Sequence, residues 1–140
     1  MMLMELEQTR MKEPGHDRRW TRLVNAAEKE VRMVRESLPA PVRIEAEKIP
    51  VTFEPAPSRE LTDDGYEDDL LGLFVGEAFD EKYRTDSALP AQILLFLENI
   101  WDYAGSDPEI YREEIRRTYL HELGHYLGLD ENGMIERDLD

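Results

Sequence analysis

Five residues near the end of the chain have types and a spacing suited to chemistry: His121-Glu122-Leu123-Gly124-His125. Residues four apart on a helix stand one turn above each other on the same face. Both imidazoles can then reach one Zn²⁺ at about 2.0–2.1 Å. Glu122 is turned about 100° away from His121 on such a helix, so it need not be a ligand. It can instead take a proton, as general base, from a water that the metal has acidified to a pKa of around 7. With three His and 20 Glu in 140 residues, a random shuffle contains about 0.006 H-E-x-x-H runs. That rarity favours a zinc site over its alternative, two ordinary histidines on a packing helix.

A zinc centre of this kind needs a third protein ligand and one open position. Only a short acidic tail follows His125. The run His125-x-x-Gly128-x-x-Glu131 continues the pattern, because Gly128 can adopt positive φ and turn the chain back under the metal. Glu131 is the expected third ligand by position, with Asp130 as the alternative. Glu136, Asp138 or water follow behind these two, and His16 is a remote candidate. The competing reading of Asp130 and Glu131 is a solvated acidic tail.

A long helix must present this motif. Ser106-Asp107-Pro108-Glu109 is a start signal, with Ser106 and Glu109 as a capping box or Asp107 as the cap and Pro108 in the first turn. The spacing predicts a helix over about 108–127, with Gly128 as the left-handed residue after its end. A second helix is predicted from Trp20, Leu23, Val24, Ala27, Val31, Val34 and Leu38, which recur at three and four residues. Pro39 and Pro41 end it.

Between the helices the pattern changes. Val42, Ile44 and Ala46 alternate with other residues, and a strand is expected around 48–53, with Pro50 placing it at an edge or a strand start. Residues 54–69 are rich in Pro and acid and read as a loop. Two short apolar runs, residues 70–76 and 91–97, read as strands, and residues 98–103 as a short helix. Trp101 and Tyr103 are expected in the core. No internal repeat is present. The order of elements predicts an α+β fold, with residues 1–17 as a mobile arm, in which Pro14-Gly15 breaks any helix begun at Glu5, and residues 18–140 as one domain.

Composition narrows the function. Seventeen Lys+Arg against 32 Asp+Glu give a net charge of −15, which disfavours nucleic acid and anionic membranes as partners. The absence of Cys excludes disulfides, thiolate zinc sites and a Cys nucleophile. The N-terminus lacks the basic start and unbroken apolar stretch of a signal peptide, and no run approaches a membrane span, so a cytoplasmic location is expected.

The stretch from Glu113 to Glu131, which holds the H-E-x-x-H run, resembles the zincin-like metallopeptidase domains called mini-zincins. Leu70-Leu71-Gly72-Leu73-Phe74-Val75-Gly76 and Pro90-Ala91-Gln92-Ile93-Leu94-Leu95-Phe96 resemble that family as well. The resemblance covers roughly residues 20–135. It implies a minimal zincin-like fold: an N-terminal helix, a small sheet of three to four strands and a long metal-binding helix. It also implies one Zn²⁺ on His121 and His125, with Glu122 as general base. Members commonly carry an acidic residue, often Asp, where Glu131 stands. A Glu is one methylene longer, which leaves the third ligand open between Glu131 and Asp130.

Zincins resemble one another in binding peptides along a sheet edge by strand addition, and residues 91–97 are the candidate edge, with a buried core strand as the alternative. Tyr126, Tyr119, Tyr83 and Arg117 are weaker candidates for stabilising an oxyanion. The expected activity is zinc-dependent hydrolysis of a peptide or protein substrate. The alternatives are a non-catalytic zinc-binding regulatory or interaction module of the same fold, and a metal-free interaction protein.

Overall fold

The computed structural model describes residues 14–76 and 91–128. Helix α1 runs Pro14–Ser37, so its first turn reaches into the segment expected as an arm. Residues 1–13 lie outside the described residues. The stripe read from the sequence faces inward: Leu23, Ala27, Val31, Val34 and Leu38 are buried, and Trp20 and Val24 pack against them.

Helix α2, Ala40–Glu47, replaces the alternation expected over 42–46. Ala46 and Ile49 are buried, Val42 packs on the core, and Ile44 is exposed. Positions 42, 46 and 49 are spaced four and three, which is a helical stripe, and Pro41 suits a first turn. The expected strand starts only after Pro50, as β1, Val51–Glu54.

Part of the expected loop over 54–69 is also helical. Helix α3, Arg59–Asp63, is capped by Ser58, whose hydroxyl accepts the Leu61 N–H at 3.3 Å. Strand β2 spans Gly72–Val75 and β3 spans Gln92–Phe96. Helix α4, Leu97–Tyr103, follows β3 directly, and α5 spans Pro108–Tyr126. Asp107 is the α5 cap: its Oδ1 accepts the N–H groups of Glu109 at 2.9 Å and Ile110 at 3.1 Å. Gly128 sits at φ 74° just past the helix end.

The sheet has strand order β1-β3-β2. β1 pairs β3 in parallel, with Thr52 opposite Leu94, and β2 pairs β3 antiparallel, with Leu73 opposite Leu94. Residues 91–97 therefore hold the central strand, and the edges are β1 and β2. Ile93, Leu95 and Phe96 are fully buried, as suits a strand paired on both sides. α1, α4 and α5 close the core with Ile100, Tyr111, Ile115, Tyr119 and Leu123. Trp101 packs edge-on to Tyr111, whereas Tyr103, expected in the core, is 67% exposed. The architecture is α+β. No helix among the described residues is long and apolar enough to cross a membrane.

Candidate metal centre

The rotation of α5 decides which side chains reach the surface. Tyr111, Ile115 and Tyr119 recur every four residues, and with Leu123 and Tyr126 they are buried against the core. Arg35 of α1 fixes this rotation: its Nε donates to Tyr119 Oη at 3.0 Å and its Nη2 to the Ile49 carbonyl at 3.0 Å. A second bridge joins Arg116 of α5 to the buried Glu30 of α1 at 2.7 Å. With that face inward, His121 and His125 are exposed, and Glu122 is half-buried beside β2.

The two imidazole Nε2 atoms stand 3.2 Å apart. Ligand atoms of a tetrahedral zinc with bonds of about 2.0–2.1 Å are about 3.3–3.4 Å apart, so the pair already has the spacing of one edge of such a centre. The ring planes cross at 78°. His121, Glu122 and His125 bring ligand-type atoms within 4.8 Å of one another. Two imidazoles with an adjacent carboxylate are a donor set that suits zinc.

Glu122 is placed by the edge strand. Leu71 offers its carbonyl to Phe96 N–H at 2.9 Å, so the alternation of an antiparallel ladder turns the backbone groups of Gly72 and Phe74 away from β3. The outward Phe74 N–H donates to Glu122 Oε1 at 3.0 Å. Burial raises the Glu122 pKa above its ordinary value, against the lowering effects of His125, His121 and the Phe74 N–H. A carboxylate shifted upward in this way is better matched to accepting a proton near neutral pH.

The approach of β2 to α5 depends on Gly72. A Cβ at this position would lie 2.6 Å from Thr118 Cγ2, 3.2 Å from the Leu94 carbonyl and 3.3 Å from Glu122 Cγ. Thr118, Gly72 and the Phe74 N–H were not among the residues singled out from sequence. A glycine inside an apolar strand was the one available signal, because it marks close backbone approach. The loop entering β2 is held by Asn99, whose Nδ2 donates to the carbonyls of Asp68 and Leu70, each at 2.9 Å.

His121, Glu122 and His125 are thus brought together. Glu131, Asp130, Glu136, Asp138 and Tyr83 lie outside the described residues, as does the His16 side chain. Tyr119 is buried and bonded to Arg35. Arg117 pairs with Glu114 at 3.1 Å, and Tyr126 is buried edge-on to Phe74. Residues 91–97, expected as a sheet edge, are instead the central strand, and of the two edge strands it is β2 that bonds Glu122.

A paired-histidine helix, a neighbouring carboxylate and an antiparallel edge strand on a small sheet together define a zincin-type site. Over residues 46–140 the chain matches the model of the zincin-like metallopeptidases, and it belongs to that family. Comparison with curated proteins gives no match.

Proposed function

We propose that the chain is a zinc-dependent peptidase. The observation that carries this reading is the 3.2 Å pairing of His121 and His125 Nε2 beside a carboxylate of raised pKa. His121 and His125 would hold the ion, with Glu131, or Asp130 in its place, as the third ligand. Zinc, when bound, supplies a Lewis acid and lowers the pKa of water to about 7.

The chain's own residues do the rest. Glu122 accepts a proton from the attacking water and carries it to the leaving amine as the peptide bond breaks. The Phe74 N–H holds one carboxylate oxygen, so the second is aimed without a search through rotamers. As an edge strand of the sheet, β2 is the candidate place for an extended peptide substrate to add.

The test compares the zinc-loaded wild type with Glu122→Gln on a diverse peptide library. The variant is expected to keep its zinc and lose about 10²–10⁴-fold in rate. Equal cleavage by both proteins would remove Glu122 from the chemistry. No cleavage by either, with zinc bound, would favour a binding module.

A further inference from the structure

Two surface features of opposite character flank α4. The first is the segment Asp63-Asp64-Gly65-Tyr66-Glu67-Asp68-Asp69, in which every residue is exposed. Its five carboxylates form no ion pair among the described residues. Tyr66 stands among them at 44% exposure. The segment is held in shape: Tyr66 N–H bonds the Leu61 carbonyl at 3.2 Å, Gly65 takes φ 102°, and Asn99 holds the Asp68 carbonyl at 2.9 Å. Such a segment presents an aromatic side chain with little ordering left to lose on binding.

The second feature is a cavity of about 380 Å³ between α1, α4 and the first turn of α5. Its floor is apolar, with Trp101 packed edge-on to Tyr111 at 5.6 Å. Arg19, Arg22 and Arg112 rim it. Arg19 is held by Glu98 at 2.6 Å, and Arg112 only loosely by the exposed Glu109 at 3.5 Å. Arg22 has no partner among the described residues. Arg18 and Lys29 extend the same face of α1, are exposed, and also form no ion pair there. In a chain of net charge −15, Arg18, Arg22 and Lys29 thus carry positive charge along one face of α1 with no ion pair among the described residues.

We propose that Tyr66 and its flanking carboxylates dock into the arginine-rimmed cavity of a second copy of this chain. The phenol ring fills the apolar floor, and the carboxylates meet Arg22 and its neighbours. Asn99, which anchors the acidic segment, and Trp101, which lines the cavity, are two residues apart on α4. Residues two apart on a helix point about 200° from each other, so each contact runs head to tail, one copy's Tyr66 entering the next copy's cavity. Two copies of net charge −15 repel at long range. At about 0.15 M salt, where the Debye length is about 8 Å, the local pairing decides the outcome.

The test is sedimentation velocity of the full chain across a concentration series at that salt. It uses wild type, Tyr66→Ala, Arg22→Glu, and an equimolar mixture of the two variants, all changes at exposed positions. The wild type is expected to show concentration-dependent self-association that each variant weakens about tenfold or more. The mixture should associate more tightly than either variant alone, because one chain keeps its Tyr66 and the other keeps its cavity. A wild type that stays monomeric at every concentration overturns the proposal, as does a self-association that neither change weakens. A monomeric wild type whose tryptophan fluorescence responds to the peptide acetyl-Asp-Asp-Gly-Tyr-Glu-Asp-Asp-amide also overturns it, and assigns the cavity to an acidic segment of another protein.

Discussion

Phe74 donates its backbone N–H to Glu122 Oε1 at 3.0 Å, so a strand edge and a helix side chain share one hydrogen bond at the centre of the site. Oε2 accepts no hydrogen bond among the described residues. One oxygen of the carboxylate is thus fixed, and the other is left for a proton. The bond exists because β2 lies close to α5, and that closeness traces to the missing side chain of Gly72.

Gly72→Ala is expected to destabilise the fold by about 1–3 kcal/mol, because the added methyl overpacks against Thr118 Cγ2. Denaturant unfolding measures the loss, and amide exchange at Phe74 should quicken in step. Adding Thr118→Ser removes the closest clashing atom and should recover part of the stability. A double variant no more stable than Gly72→Ala would show that the clash lies elsewhere.

The Glu122 pKa gives a pH dependence of definite sign. Its folded value is raised, chiefly by burial, so the folded state favours the protonated acid more than the unfolded chain does. Below the ordinary glutamate range of about 4.3 both states are protonated and nothing is lost. As pH rises through the raised folded value, the charged carboxylate takes stability away. Metal-free Glu122→Gln should therefore gain on metal-free wild type as pH rises across that window. Unfolding curves at several pH values check it, and a gap that narrows with rising pH would contradict the burial.

Arg116 and Glu30 tie α5 to α1. Glu30 is only 4% exposed, so removing Arg116 leaves a buried carboxylate without its partner. Arg116→Ala is expected to cost about 2–3 kcal/mol, less than for a fully buried pair because the arginine itself is partly solvated. Replacing both residues with apolar ones of similar size should cost less than the single change. A double-mutant cycle reports the coupling.

Zinc bound only to the folded chain stabilises it by mass action, about 2.7 kcal/mol at a free concentration 100 times Kd. Chelator should remove that increment at neutral pH. Acidification should remove it as well, since imidazole ligands must be unprotonated. Thermal unfolding with and without zinc across pH checks both effects, and a zinc increment that survives acidification would speak against His121 and His125.

The local part of the site was legible in the sequence. Asp107-Pro108, Gly128 and the His121–His125 spacing all lie within or at the ends of one helix, where each signal acts over a turn or two. What failed was non-local. The apolar run 91–97 says that a strand is buried but not which strands flank it, so the expected edge is in fact the centre of the sheet. Val42, Ile44 and Ala46 fit a period of two until Ile49 is added, which makes the helical spacing better. The role of Gly72 depends on Thr118 and Glu122, more than forty residues away, and no local pattern encodes that approach.

The central claim is that His121 and His125 hold a metal ion beside Glu122. Elemental analysis of full-length protein purified without chelator tests it most directly, comparing wild type, Glu122→Gln and the His121→Ala/His125→Ala double variant. The result expected is about one zinc per chain in the first two proteins and none in the third, consistent with a single site of about four ligand positions. Wild-type protein without zinc after exposure to the ion, or zinc undiminished in the double variant, would contradict it.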